Sequence, residues 1–174
     1  MRLQATCYRA HHPKWSFKPL SGDGAAVHGG RFNPKGVPAL YLALSIETGI
    51  KEANREYAFK IDPCVLCCYD VNCADIADLR NEAGRRDHDA ALATLSSGWH
   101  SDVLERREPA SWRVARRLIA RGIAGILVPS FPPGARLGDD NLVLWDWSER
   151  PPHQVRVLDP SRRLPRDQRS WDDC

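Results

Sequence analysis

The segment from Gly29 to Glu52, GGRFNPKGVPALYLALSIETGIKE, constrains the fold and chemistry of this chain more than any other. It combines a glycine turn, an arginine, a short apolar strand that contains a tyrosine, and a helix that carries a carboxylate. Guanidinium and backbone donors bind phosphate oxygens, and a carboxylate can stabilise positive charge that develops on a sugar. The segment therefore has the residue types needed to bind a dinucleotide and to stabilise a cationic sugar.

Length and composition indicate one globular domain. The 174 residues are 43% hydrophobic and 27% charged, which is close to the usual globular composition. The net charge of +3 permits an anionic ligand but is too small to mark a nucleic-acid-binding protein. No apolar run approaches the length of a membrane helix, and the first residues do not resemble a signal peptide. We therefore expect a cytoplasmic protein that binds neither membranes nor nucleic acid directly.

Hydrophobic patterns in the first third of the chain predict two strands and a helix. Residues 3–9 alternate weakly, which predicts a first strand. Residues 11–28, rich in proline and glycine, predict a long loop that borders a binding site. Residues 37–44 form an apolar run typical of a strand buried on both faces. Ser45 is a suitable N-cap for a helix that continues to about residue 59.

The remaining patterns predict a mixed α+β architecture. Short helices are expected at residues 75–79 and 88–95, a longer helix with an arginine-rich outer face at 109–122, and strands at 60–71, 125–128, 141–147 and 154–158. We expect one domain over residues 1–159, followed by a polar tail over residues 160–174.

Four residues carry the functional hypothesis, and each has a structural alternative. An arginine after two glycines suits a phosphate, but composition alone favours an ion pair of Arg31 at a strand end. Tyr41 offers a flat ring for stacking, or a core residue with a bonded hydroxyl. Glu52 lies beside the apolar stripe of its helix, where it can border a cleft or pair with a neighbouring cation. Ser130 follows a buried strand and can bind a ligand or complete a turn.

The cysteine cluster does not fit a metal or redox motif. Strand alternation places Cys64 and Cys68 on one face and Cys67 on the other, unlike the converging ligands of a zinc site. The six histidines contain no helix-spaced pair of ligands. We therefore expect small, buried, reduced cysteines and no metal site.

Five short motifs together resemble the RES domain, a toxin family named for an arginine, a glutamate and a serine. The motifs are Tyr8-Arg9, Gly29-Gly30-Arg31-Phe32-Asn33, Ala39-Leu40-Tyr41-Leu42-Ala43, Ser45-Ile46-Glu47-Thr48 through Glu52, and Val128-Pro129-Ser130. Order, spacing and apolar flanks match most closely over residues 29–52, whereas residues 75–110 and the tail add nothing to the resemblance.

The resemblance implies a fold like that of diphtheria-type ADP-ribosyltransferases, a sandwich of small β-sheets with flanking helices around an NAD+ cleft. It also implies that NAD+ is the substrate. Arg31, together with Arg9, would hold the pyrophosphate. Tyr41 would stack near the nicotinamide, and Tyr8 would wall the same pocket. Glu52 would hydrogen-bond the ribose and stabilise its transition state, while the family serine, here Ser130, would hydrogen-bond the ligand.

The resemblance leaves the acceptor of ADP-ribose open. Relatives either transfer it to a protein or deplete NAD+ with water or phosphate, and we expect transfer to a protein. Glu56 and, less favourably placed, Glu47 are candidates for a second carboxylate that activates the nucleophile. The expected partner is an Xre-type DNA-binding antitoxin that blocks the site, with the basic 109–122 helix and the tail as candidate contacts. A binding module for a nucleotide or an acidic peptide is the alternative without catalysis.

Overall fold

A computed structural model describes residues 1–53, 63–131 and 134–169. The strands of these residues are β1 (Leu3–His11), β2 (Leu40–Ala43), β3 (Val65–Cys73), β4 (Ile76–Asp78), β5 (Gly125–Pro129), β6 (Asp140–Leu144) and β7 (His153–Val157). The helices are α1 (Asp23–His28), α2 (Ile46–Ala53), α3 (Glu82–Asp87), α4 (Leu92–Leu95), α5 (Trp99–Leu104) and α6 (Ala110–Ala120), with a 3-10 turn at Pro13–Trp15.

The strands join in one seven-stranded mixed sheet. Its order is β4-β5-β6-β2-β1-β3-β7, in which β4 and β5 are parallel and all other neighbours are antiparallel. Helices α2 and α6 supply longer amphipathic stretches that cover apolar sheet surface. The mixed α+β class predicted from the sequence is confirmed.

The centre of the sheet is buried on both faces. In β5, Ile126 and Val128 belong to one hydrophobic cluster and Leu127 belongs to the other. This alternation follows from the two-residue period of a strand. The first cluster includes Leu118 of α6, and the second includes Tyr69 of β3. Because both faces of β5 are buried, its sequence is a continuous run of hydrophobic residues.

Three sequence predictions are wrong, and the first concerns the helix predicted at residues 88–95, of which only Leu92–Leu95 is helical. The segment predicted as a helix at residues 75–79 contains strand β4, because Ile76–Asp78 pairs in parallel with β5. A three-residue segment has weak local preference, so a partner strand about 50 residues away in sequence decides its conformation. The predicted long loop at residues 11–28 contains the 3-10 turn and α1.

Helix α2 begins as predicted. The Ser45 hydroxyl accepts a hydrogen bond from the Thr48 N–H at 3.1 Å, which satisfies a backbone donor of the first turn. The helix is described from Ile46 to Ala53, and its predicted continuation to residue 59 lies outside the described residues.

In the part of the chain that is described, no helix has the length and apolar character needed to cross a membrane.

The described cysteines are free thiols, and most are shielded from solvent. Cys7, Cys67 and Cys73 are buried, as predicted, and burial raises the pKa of the Cys73 thiol to about 11. Cys64 is exposed, because it precedes β3 instead of lying within it. No cluster of three His, Cys, Asp or Glu side chains suited to a metal ion occurs within the described ranges.

Candidate functional site

A cavity of about 140 Å³ lies where α2 packs against the sheet. Gly49 of α2 brings the helix close, since a methyl group at this position would lie 3.6 Å from Tyr8 Cβ and 3.7 Å from Ala43 Cβ. The residues that line the cavity are Tyr8, Arg9, Ala10, Tyr41, Leu42, Ala43, Gly49, Glu52, Ala53 and Asn141. The cavity is therefore enclosed by three neighbouring strands and one helix.

Strand register brings the polar lining residues together. Tyr8 of β1 pairs with Ala43 of β2, and Ala43 pairs with Asn141 of β6. Paired residues in antiparallel strands project to the same side of a sheet. Tyr41 lies two residues before Ala43 and so projects to this side as well. The same surface therefore presents two tyrosines and an amide beneath helix α2.

Glu52 is held at the cavity by two side chains from other elements. Its Oε1 atom accepts a hydrogen bond from the Ser130 hydroxyl at 2.6 Å and another from the Asn141 amide at 2.5 Å. Ser130 is buried and follows directly after β5, whereas Asn141 lies in β6. Hydrogen bonds to a charged carboxylate are stronger than neutral ones, so this pair fixes the position of the carboxyl group.

Tyr41 contributes its ring to the cavity and its hydroxyl to the glycine turn. The hydroxyl donates to Asn33 Oδ1 at 2.7 Å and accepts from the Phe32 N–H at 3.0 Å. A methyl group at Gly30 would lie 2.5 Å from the same hydroxyl, which explains the absence of a side chain there. The glycine turn thus serves to anchor the tyrosine.

Arg31 does not line the cavity formed by the described residues. Its Nη1 atom donates to the carbonyls of Ser97 at 2.6 Å and Leu95 at 3.2 Å, at the end of α4. The guanidinium carbon lies 5.0 Å from the centre of the Phe131 ring, next to Ser130. Arg31 therefore joins the glycine turn to α4, and its predicted contact with a phosphate stays a prediction.

Arg9 borders the cavity at its place in β1, but it follows Tyr8 directly, so strand alternation directs its partly buried side chain to the other face of the sheet. Its Nη1 atom donates to the Ser21 carbonyl at 3.2 Å. Burial lowers the pKa of this guanidinium, while the nearby Tyr69 and Cys67 act in the opposite direction. Among the residues that the structure describes, no carboxylate forms an ion pair with it. The described contacts of this guanidinium therefore lie with Ser21, Tyr69 and Cys67, and its predicted contact with a phosphate stays a prediction.

The two candidates for a second carboxylate are not both described. Glu47 is exposed in the first turn of α2 and does not line the cavity formed by the described residues. Glu56 lies outside the described residues.

The sequence reasoning missed Asn141 and the carboxylate of Asp139. Asp139 is buried; its Oδ2 atom accepts from Lys51 Nζ at 2.8 Å, and its Oδ1 atom from the Thr48 hydroxyl at 3.0 Å. The only local signal was a polar run, Asp139 to Asn141, directly before an apolar strand. Which of these residues meets α2 depends on the register between β2 and β6, which the sequence does not state.

Comparisons with known proteins support the fold and identify the family. A structure search matches the chain to the crystal structure of the M. tuberculosis MbcT-MbcA toxin-antitoxin complex with a TM-score of 0.61 and 24% identity. The match covers 91% of this chain and 84% of the chain in that complex, which supports the same fold. No curated protein matches the sequence.

Residues 6–167 match the RES domain family. Because this match spans nearly the whole sequence, the chain belongs to the RES domain family.

Proposed function

We propose that the protein cleaves the bond between nicotinamide and ribose in NAD+ and transfers the ADP-ribose. The observation that carries the proposal is the Glu52 carboxylate, held by Ser130 and Asn141 beside a cavity with two tyrosine rings. The residues proposed for the reaction lie within the segment that matches the RES domain.

The size of the cavity fits one aromatic ring and not a whole dinucleotide. An apolar cavity of about 150 Å³ holds a benzene ring, and the cavity here measures about 140 Å³. Tyr8 and Tyr41 provide ring surfaces for a flat, amide-bearing group such as nicotinamide. The ribose and the pyrophosphate would then lie towards the mouth of the cavity.

Glu52 supplies electrostatic stabilisation in the proposed step. The glycosidic C–N bond breaks and its electron pair leaves with the pyridinium ring, which becomes neutral nicotinamide. Positive charge develops on the anomeric carbon, and a fixed carboxylate close to that carbon lowers the energy of this state. A lone pair of the acceptor then forms the new bond, and the proton of the acceptor passes to solvent.

Arg9 and Arg31 are the residues that we assign to the pyrophosphate. Arg9 is a partly buried cation that pairs with no carboxylate among the described residues, and it follows the cavity residue Tyr8 directly in β1. Arg31 lies further away, with Nη1 on the carbonyls of Leu95 and Ser97. A guanidinium pairs well with phosphate oxygens, so a pyrophosphate that extends from the mouth of the cavity to either arginine would gain a charged hydrogen bond.

We propose a protein as the acceptor of ADP-ribose. The connection from β5 to β6 passes Ser130 and carries Leu137, which is fully exposed. Because single exposed apolar side chains are common, the main support for a protein acceptor is the resemblance of the family to ADP-ribosyltransferases. Water or phosphate as the acceptor would instead deplete NAD+.

A toxin role and an antitoxin partner belong to the same proposal. The structure similar to this chain is described as a toxin–antitoxin complex. We infer that this chain is the toxin and that a DNA-binding antitoxin of the Xre type covers the cavity. The outer face of α6, with exposed Arg113 and Arg116, is a candidate contact. Co-expression with the neighbouring gene product should relieve growth arrest and yield a stable complex.

Incubation of the purified protein with NAD+, followed by assay of free nicotinamide, tests the proposed reaction. Release of nicotinamide supports catalysis, whereas tight binding of NAD+ without release would favour the binding module. Adenylate-labelled NAD+ then identifies the acceptor. Label in protein supports the transferase; label in free ADP-ribose or its 1″-phosphate supports depletion of NAD+.

A further inference from the structure

Asp139 connects the helix that carries Glu52 to the residues that hold Glu52. One carboxylate oxygen accepts from the Thr48 hydroxyl at 3.0 Å, and the other accepts from Lys51 Nζ at 2.8 Å. Thr48 lies one helical turn before Glu52, and Lys51 is its immediate neighbour. The second oxygen also accepts the Arg136 N–H at 2.8 Å, so both carboxylate oxygens are hydrogen-bonded.

The main chain of Asp139 contacts Ser130, one of the residues that hold Glu52. Its carbonyl accepts the Ser130 N–H at 2.6 Å, and Asn141 lies two residues further along the chain. Ser130 and Asn141 are the two residues that donate to Glu52 Oε1. One residue therefore holds α2 through its side chain and holds Ser130, a partner of Glu52, through its backbone.

The contact with Thr48 has a fixed direction. The Ser45 hydroxyl donates to Thr48 Oγ1 at 2.8 Å, so the Thr48 hydroxyl uses its own proton for Asp139. Thr48 is fully buried. A buried donor of this kind loses free energy when its acceptor is removed, because no water replaces the acceptor.

The Asp139 carboxylate is ionised at neutral pH. The hydrogen bond from Lys51 is the main cause, followed by that from the Arg136 N–H, and together they lower the pKa of Asp139 to about 2. The negative charge that the contacts with Thr48 and Lys51 require is therefore always present at neutral pH.

We propose that Asp139 is a positioning residue that sets the place of the Glu52 carboxylate by locking α2 to the connection between β5 and β6. Its kinetic consequence rests on the proposed cleavage of NAD+, but its structural consequence does not. Without this lock, Glu52 would remain on its helix and lose its alignment with Ser130 and Asn141.

Substitution Asp139→Asn tests the inference with two measurements. The amide has nearly the same shape as the carboxylate. Its NH₂ group is a donor, however, and would face groups that themselves donate to Asp139, such as the Thr48 hydroxyl or the Lys51 ammonium. The first measurement follows the NMR signals of the Asn141 side-chain amide, which report its bond to Glu52 without any turnover. We expect them to move towards the positions that they have in Glu52→Gln. The second measurement is nicotinamide release, where we expect kcat to fall about tenfold with little change in KM.

Matched variants separate positioning from a general loss of stability. Thr48→Ser keeps the hydroxyl and should retain the Asn141 signals, whereas Thr48→Val keeps the volume without the donor and should shift them. Glu82→Gln makes the same carboxylate-to-amide change on exposed α3 and should leave both measurements unchanged. This pair at Thr48 decides the question even if Asp139→Asn does not fold.

Unchanged Asn141 signals in Asp139→Asn, or equal signals in Thr48→Ser and Thr48→Val, would overturn the inference. A fall in kcat of the same size when Asp139→Asn is added to Glu52→Gln would also overturn it, because a residue that acts through Glu52 has little effect once that carboxylate is gone. If the wild-type protein releases no nicotinamide, the proposed reaction fails and the NMR signals alone decide the role of Asp139.

Discussion

Glu52 and Arg31 come from the same short segment, yet the structure uses them differently. Glu52 lines the cavity, and its carboxylate receives hydrogen bonds from two side chains that lie far away in sequence. Arg31 donates to two backbone carbonyls at the end of α4 and lies against Phe131. One end of the segment faces the cavity, and the other end braces the scaffold beside it.

Because Glu52 faces the cavity and Arg31 binds backbone carbonyls, substitutions at the two residues must be interpreted differently. A change from carboxylate to amide at Glu52 removes charge from a place where a substrate would need it. Removal of the Arg31 side chain takes a charged donor from the carbonyls of Leu95 and Ser97, of which the Ser97 carbonyl still accepts from the Trp99 N–H, so loss of activity there would include loss of structure. Stability and activity must therefore be measured together on both variants.

The largest effect is expected for Glu52→Gln. Loss of the negative charge should lower nicotinamide release by about 100-fold or more, because fixed charges at a transition state contribute this much. The thermal midpoint should change little, since the amide oxygen still accepts from Ser130 and Asn141. Calorimetry and the nicotinamide assay on the same sample check both statements, with Glu82→Gln as the control. A loss below about tenfold would remove Glu52 from the proposed role.

Arg31→Met should affect stability more than any other change at the site. Hydrogen bonds from a charged donor contribute about 1.5–3 kcal/mol, so we expect unfolding to become easier by about 2 kcal/mol. For a domain of this size the thermal midpoint should fall by roughly 4–8 °C. Arg86→Met, on the exposed surface of α3, is the matched control. A thermal midpoint equal to that of the wild type would show that the contacts with α4 do not brace the fold.

Ser130→Ala and Asn141→Ala should each have an intermediate effect on activity. Each removes one of the two hydrogen bonds that hold Glu52 Oε1, and each should lower kcat by about tenfold, which corresponds to about 1.4 kcal/mol. The Asn141 variant matters more for the comparison, because this residue was found only from the structure. Activity of Asn141→Ala equal to that of the wild type would mean that Ser130 alone is sufficient to orient Glu52.

Low pH should weaken the contacts of Asp139 with helix α2 before it weakens the contacts of Arg31 with α4. The folded pKa of Asp139 is about 2, below the ordinary 3.8, so its contribution to stability is present above pH 3.8 and lost as the pH falls towards 2. The contacts of Arg31 with carbonyls contain no group that titrates in this range. The difference in thermal midpoint between wild type and Asp139→Asn should shrink by a few degrees from pH 6 to pH 2.5. A constant difference would contradict the assignment of Asp139.

Local patterns in the sequence were sufficient for several elements of the fold. The continuous apolar run of β5 and the apolar stripe of α6 predict a buried strand and an amphipathic helix, and both occur. Ser45 correctly predicts the start of α2 because its cap is a local interaction. The strand β4 was missed since its conformation depends on pairing with β5, far away in sequence.

The same distinction applies to the candidate site. Tyr8, Tyr41 and Glu52 were predicted as site residues, and the structure brings them to one cavity. Asn141 and Asp139 were missed, because their contacts with α2 arise from the register of β6 against β2. The carbonyl partners of Arg31 lie more than 60 residues away and could not be read from its neighbours.

The most direct test of the account is a crystal structure of Glu52→Gln with NAD+, in which slow turnover should preserve the dinucleotide. We expect the nicotinamide ring between Tyr8 and Tyr41, with its ribose within hydrogen-bond distance of the residue 52 side chain. Dinucleotide bound only at a different surface, such as the groove beside Leu20 and Trp147, would contradict it.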